Sequence, residues 1–394
     1  MSIVVIDLHG DLVKKQMEVL PAAGVDPQRV LLFDATDDVW TPTHNPLAGS
    51  GEAHLTVGPF VAALERGSDS WGIQLGESAL CGATVLHEAG YSPLEIEALF
   101  LNEPFRKSVL AVSRDVYARS FFEGRFENLS SDQQRSWYLA LANKLRPILS
   151  RPRLRRISGT GDGVAFRRAI DTKGAIVLVS LGSAVLQESA ATIGEILVHS
   201  LWQTVLARAK VPEAERPKTL LIVDEFQEMG NSIFGQMIAV GRRFGLRLAL
   251  AHQSQAQLPA DLRSIIRNNS ALRLLFAPGP VDAGELASEL SPLPRHQAYA
   301  ALMKLSVGQA FVVRRGKEAI PVQMKRPTER RASASQIAEF RHAVLERSAR
   351  KVVDVDRELQ ERSDRIAALL SAPSKPVSGK SRSSRRPLME DFDA

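Results

Sequence analysis

Short apolar runs recur along the chain, separated by stretches of helical length, and the first two stop at an aspartate. Ser2 to Ile6 stops at Asp7. After the helix-like stretch Leu12 to Leu20, Arg29-Val-Leu-Leu-Phe-Asp34 repeats the pattern. Runs that are apolar throughout, without alternation, belong to strands buried on both faces, and helical crossovers let such strands run parallel. The pattern resumes at Ala175 to Leu181, Thr219 to Val223, Leu246 to Ala251, Leu272 to Phe276 and Ala310 to Val313, with helix-length segments such as Thr192 to Ala209 between. The reading is an α/β fold with a doubly wound, mostly parallel sheet.

The two groups of strands are separated by about Glu52 to Leu149, where strands vanish and helical periods take over; Ser92-Pro93 opens one helix and Ser131-Asp132 another. This predicts residues 1–51 as the first part of the core, 52–149 as an all-helical insertion, and 150–326 as the rest of the core. Residues 327–371 follow as one long charged C-terminal helix, Ser333 to Leu370, a solvated or partner-packing arm. Residues 372–394, rich in Ser, Pro and Arg, read as a disordered tail with a basic stretch, Lys380 to Arg386, and an acidic tip, Glu390 to Asp393.

Composition narrows the function classes. Of 394 residues, 44% are apolar and 24% charged, which is the balance of a folded chain. A single cysteine, Cys81, excludes an internal disulfide and points to a reducing compartment; it reads as buried and inert. Eight scattered His show no zinc-site spacing. No apolar run reaches the roughly 18 residues of a membrane span, and the start, Met1-Ser-Ile-Val-Val-Ile-Asp7, lacks the basic flank of a signal peptide. Cytoplasmic residence is expected. Fifty Lys and Arg against 44 Asp and Glu leave a net charge of +6, which favours polyanionic partners.

Chemistry concentrates at predicted strand ends. Thr219-Leu-Leu-Ile-Val-Asp-Glu225 delivers two adjacent carboxylates to the carboxyl edge of a parallel sheet, where nucleotides bind in open α/β folds. In nucleotide hydrolases such an aspartate supports Mg²⁺ and such a glutamate positions the attacking water; the other reading is an ordinary acidic turn. The next strand ends at Ala251-His-Gln253, whose amide can sense a phosphate or its water. Alone it reads as a turn cap, but beside Asp224 and Glu225 the nucleotide reading is preferred. Ser180 and Ser183 flank Gly182 without the elbow of a serine hydrolase, and His252 reads as a strand-end filler.

Taken in order, Asp7-Leu-His-Gly-Asp-Leu12, His44-Asn-Pro-Leu47, Asp224-Glu225, Gly241-Arg-Arg-Phe-Gly-Leu246, Ala251-His-Gln-Ser254 and Gln257-Leu258 resemble the HerA/FtsK superfamily. More narrowly, the set is similar to the TraG/TraD kind of type IV secretion coupling protein, a conjugative DNA-pumping ATPase. The resemblance covers about Ser2 to Arg326. It implies a RecA-like core interrupted by a helical domain, a hexameric ring, ATP and Mg²⁺ as cofactors, and DNA, relaxosome and secretion-channel proteins as partners. It implies a place at the cytoplasmic face of a bacterial inner membrane, reached through an N-terminal part or through partners. It assigns Glu225, Gln253 and Arg243 to catalysis, with Arg242 the alternative to Arg243 as the arginine that reaches a neighbouring subunit's phosphates. Asp224 would hold the metal, and Asp224, Asp7 and Gly10 would line the cofactor site.

One departure stands against a complete enzyme. The family's phosphate loop, ending in Gly-Lys-Ser/Thr, belongs before the position of Ile3 to Asp7, and the sequence has none there. The Gly379-Lys380-Ser381 triplet lacks the leading glycine, replaced by Ser374, and has no strand before it. The expectation is therefore a truncated coupling-ATPase core with doubtful hydrolysis. The alternatives are a catalytically silent DNA- or relaxosome-binding adaptor, or a split reading frame. For DNA the candidates are Lys144, Arg146, Arg151, Arg153, Arg155 and Arg156, six basic residues without an acid between Lys144 and Arg156. A solvated hinge is the other reading of that stretch, and its prolines argue against a recognition helix.

Overall fold

The computed structural model describes residues 1–49, 53–66, 71–160, 164–229, 231–290, 292–326 and 330–371. Strand β1 (Ser2–Asp7) leads into helix α1 (Asp11–Ala22), then β2 (Val30–Asp34) and the short β3 (Trp40–Thr41). A helical stretch follows: α2 (Ala53–Arg66), α3 (Ile73–Glu88), α4 (Ile96–Leu101), α5 (Glu103–Leu110) and α6 (Val116–Ser120). It continues through α7 (Ser131–Ser150), α8 (Pro152–Gly159) and α9 (Val164–Asp171). The chain then forms β4 (Ile176–Ser180), α10 (Ser183–Leu186), α11 (Glu188–Ala207), β5 (Thr219–Val223), α12 (Asn231–Val240) and β6 (Leu246–Leu250). Beyond these lie α13 (Ala260–Asn269), β7 (Arg273–Leu275), α14 (Pro280–Leu286), α15 (Arg295–Met303), β8 (Gln309–Val313) and β9 (Ile320–Gln323). The last elements are α16 (Ala334–Ser348), β10 (Arg350–Lys351) and α17 (Val352–Ser371).

The main sheet has five parallel strands in the order β2-β4-β1-β5-β6. The apolar runs predict its burial on both sides. Val4, Ile6, Val177, Val179, Leu221 and Val223 join the large core that continues into the helical stretch. Val5, Leu178, Val30 and Leu32 face the other way, onto Val13 and Met17 of α1 and Phe340, Val344 and Leu345 of α16. At the amino edge, buried Arg208 holds the strands' starts together: it pairs with Asp171 and donates to Thr219 Oγ1 and to the carbonyls of Pro217 and Phe244.

Two expectations fail. β7 and β8 do not extend the main sheet; with β9 they form a separate antiparallel sheet whose Leu275, Phe311 and Val313 make a small core with α14 and α15. Periodicity marks a strand but not its partner: β8 and β9 are joined by a short antiparallel link, whereas β7 meets β8 only after α14 and α15. The predicted single helix from Ser333 to Leu370 is two helices, and neither is a free arm. Ala349 is extended, and β10 pairs with β3, Arg350 opposite Thr41 and Lys351 opposite Trp40. α16 covers the β2 side of the sheet, and α17 lies on the helical stretch, where Arg156 grips Asp356 and Arg362 donates to the Gly159 carbonyl. The tail at 372–394, including Gly379-Lys380-Ser381, lies outside the described residues. Among the described residues no helix is long and apolar enough to cross a membrane.

Candidate nucleotide site

Parallel register carries the polar strand ends to one edge. Asp7 stands level with Ser180 of β4, which is level with Asp34 of β2. Asp224 is one step beyond Val223, the partner of Ile6 in β1 and of Leu250 in β6, and its amide donates to the Ile6 carbonyl. Asp7 and Asp224 therefore end adjacent strands.

Asp7 is almost wholly buried, and both of its carboxylate oxygens accept backbone N–H groups: Oδ1 from His9 at 3.1 Å and Oδ2 from Val13 at 3.0 Å. It thereby occupies a first-turn amide of α1, the kind of donor a phosphate would use. Gly10 precedes that helix at φ +96°, in the left-handed region, and a Cβ there would meet Ser180 Oγ at 2.8 Å. Backbone conformation and close approach to β4 both require glycine at this turn.

Asp224 is partly buried, and its acidity is weakened: burial and the charges of Glu225 and Asp7 raise its pKa from the ordinary aspartate value, against smaller opposing effects of the Glu225 amide and His9. Glu225 adopts φ +52°, left-handed for a residue with a Cβ, a conformation that costs about 1–2 kcal/mol. Two amides hold it there. Gln253 Nε2 donates to Glu225 Oε1 and Gln227 Nε2 to Oε2, both at 2.6 Å, with Gln227 also near Gln257 Oε1 at 3.4 Å. His9 Nδ1 lies 2.8 Å from Ser183 Oγ, joining the β1 and β4 loops. The strand pattern marks Asp224, Glu225 and Gln253; it gives no sign of Gln227, His9 or Ser183, which reach the edge through turns. Glutamine two places after an acidic strand end is the local signal for Gln227.

A cation fits this edge in a limited way. Asp7 is spent on backbone and Glu225 on amides, so Asp224 alone is left to face one. Among the described residues no group of three His, Cys, Asp or Glu could hold a metal. One carboxylate suits Mg²⁺ that arrives on a nucleotide's phosphates and keeps its waters, not a resident ion. No glycine-rich loop ending in Gly-Lys-Ser/Thr is present among the described residues.

The remaining sequence candidates lie elsewhere. Arg242 and Arg243 are exposed in the turn before β6, at the opposite edge; the five residues of β6 put roughly 16 Å between them and the site. Within one chain neither meets Glu225. The basic stretch is two helices broken at Arg151, with Pro152 in the first turn of α8. Arg151 donates to the Leu186 carbonyl, Arg153 to the carbonyls of Thr36 and Asp37 and to Asp38, and Arg156 to Asp356. Arg146 reaches Asn143 and Arg155 the Leu149 carbonyl, both remaining exposed; Lys144 is half-buried and also has a partner. His252 packs edge-on against Phe226, and Cys81 is buried with its thiol pushed up to about 12, mainly by burial.

No protein-family model and no curated protein matches the sequence. Solved structures do resemble it. The plasmid coupling protein TrwB in complex with the ATP analogue ADPNP superimposes with a TM-score of 0.57 at 13% identity, over 85% of this chain and 80% of that one. TrwB with ADP and Mg²⁺ gives 0.55 at 14%, over 84% and 80%. VirB4 of Thermoanaerobacter pseudethanolicus gives 0.50 at 11%, over 85% and 83%. The chain shares their RecA-like α/β fold.

Proposed function

We propose that this chain is a core of a conjugative, HerA/FtsK-type coupling ATPase, in which Asp224, Glu225 and Gln253 form the Mg²⁺- and water-handling half of an ATP site. The observation that carries this reading is the glutamate at the end of β5, strained at φ +52° and held by two amides at 2.6 Å beside a destabilised aspartate. Strain and an aspartate of weakened acidity at one strand edge are characteristic of sites. Glu225 would accept a proton from, and orient, the attacking water, while Gln253 fixes the carboxylate's direction. Bound Mg²⁺ would neutralise phosphate charge beside Asp224.

The phosphate-holding half comes, in this reading, from outside the described residues. The sheet suggests where: α16 covers β2, whereas β6, next to the acidic strand, has no neighbour on its outer side among the described residues and exposes Arg247 and Ala249. A parallel strand added along β6 would carry a phosphate loop to the same edge. Arg243, at the far edge, suits the site of another copy in a ring. DNA, relaxosome proteins and a secretion channel at the inner membrane are the partners this reading entails.

The test is ATP turnover by the chain alone and by the chain preceded by a strand, Gly-x-x-x-x-Gly-Lys-Thr and helix. The chain alone should stay near background. The extended form should turn over on the order of 100-fold faster and fall back with Glu225→Gln. Turnover in either form that ignores Glu225→Gln sinks the assignment.

A further inference from the structure

An antiparallel sheet with one face in water normally alternates apolar and polar residues. The small β7-β8-β9 sheet does not. Leu275, Phe311 and Val313 fill its inner core, yet Leu274, Val312 and Ile320 stand side by side across its outer face. Leu272 and Phe276 are in phase with Leu274 along the β7 segment. Leu272, Leu274, Phe276 and Ile320 are each between 41% and 51% exposed. Contiguous apolar surface of this kind marks a binding face. The segments that flank its strands are basic: Lys304, Arg314, Arg315, Lys317, Lys325 and Arg326 are exposed, against one acid in the same stretch, Glu318.

The occupant must present apolar side chains among carboxylates. The chain itself has such a segment, Leu388-Met-Glu-Asp-Phe-Asp393, in which Leu388, Met389 and Phe392 are interleaved with Glu390, Asp391 and Asp393. Residues 372–387 connect it to α17 and span roughly 50 Å when extended, more than twice the roughly 21 Å radius of gyration of a chain this long. Tethering raises its local concentration into the millimolar range, which favours its own sheet over that of another molecule. We propose that Leu388 to Asp393 docks on the outer face of the β7-β8-β9 sheet of its own chain, apolar side chains on Leu274 and Ile320 and carboxylates on the basic flanking segments. This does not depend on the nucleotide reading.

Engineered cysteines test it, since Cys81 is buried and stays out of exchange. A Leu274→Cys, Ala394→Cys chain should form its disulfide roughly tenfold faster than a control pairing Ala394→Cys with Val116→Cys, at an exposed site on α6. The product should have monomer mass. The lead should vanish in about 1 M salt, where charges are screened beyond about 3 Å, and on neutralising Glu390, Asp391 and Asp393 with Gln and Asn. Equal rates, a product of doubled mass, or a lead indifferent to those acids would each overturn the proposal. Leu274 and Val116 are both exposed, so misfolding does not cloud the result.

Discussion

At the scale of single residues the candidate site is a place where stability has been given up. Asp224 is partly buried beside two other carboxylates, and its pKa is raised. A raised carboxylate pKa means the folded state binds the proton more tightly than the unfolded chain does. The ionised form is therefore destabilising at neutral pH, and that penalty disappears as pH falls through the raised value to the ordinary 3.8. Asp224→Asn should accordingly raise the thermal midpoint at pH 7 by roughly 2–4 °C, with the gain shrinking toward pH 4. Thermal melts across that range check it; an equal or lower midpoint at pH 7 would remove the electrostatic conflict inferred here. His44 shows the same physics without the functional reading. It is fully buried, neither ring nitrogen has a hydrogen-bond partner, and burial, then Arg167, lowers its pKa to about 3.

Elements show where sequence reasoning stops. β1, β2, β4 and β5 are legible because burial on both faces is written into consecutive apolar residues, whereas the edge strand β6 exposes Arg247 and Ala249. The break between α16 and α17 is not: Ala349, Arg350 and Lys351 carry no local stop signal, and their extended conformation is set by Thr41 and Trp40, about 300 residues away in sequence. Lys351 also places its ammonium 5.9 Å from the Trp40 ring. The same long-range closure makes α16 a wall of the sheet. Phe340 is buried among Val30, Leu32 and Val344, so Phe340→Ala should destabilise the chain by about 3–4 kcal/mol. His342→Ala, on the exposed side of the same helix, should change little. Urea denaturation of the two variants separates a core-forming helix from an appended arm; equal midpoints would restore the arm.

On the scale of the whole molecule, charge must be counted after folding. The net +6 and the six basic residues of 144–156 make one stripe in the sequence, but folding spends much of it. Arg151, Arg153 and Arg156 fasten the helical stretch to Leu186, to the β2–β3 turn and to α17. Such internal pairing across 35 to 200 positions leaves no trace in local sequence. Arg146 and Arg155 are exposed, and among the described residues their side chains donate to neutral groups, the Asn143 amide oxygen and the Leu149 carbonyl, which leaves their charge for a phosphate backbone. Each phosphate contact contributes about 0.9 to the slope of log affinity against log salt. If the chain grips duplex DNA through this region, replacing Arg146 and Arg155 by Ala should flatten that slope by about 2, whereas Arg153→Ala and Arg156→Ala should lower stability and leave the slope nearly unchanged. Anisotropy of a labelled duplex in a salt series measures both. The same titration with and without Mg²⁺-ATP separates the two functional readings, because a translocating ATPase core must bind DNA differently with nucleotide while a silent adaptor need not. A slope unmoved by the loss of both arginines would place the DNA contact elsewhere on the molecule.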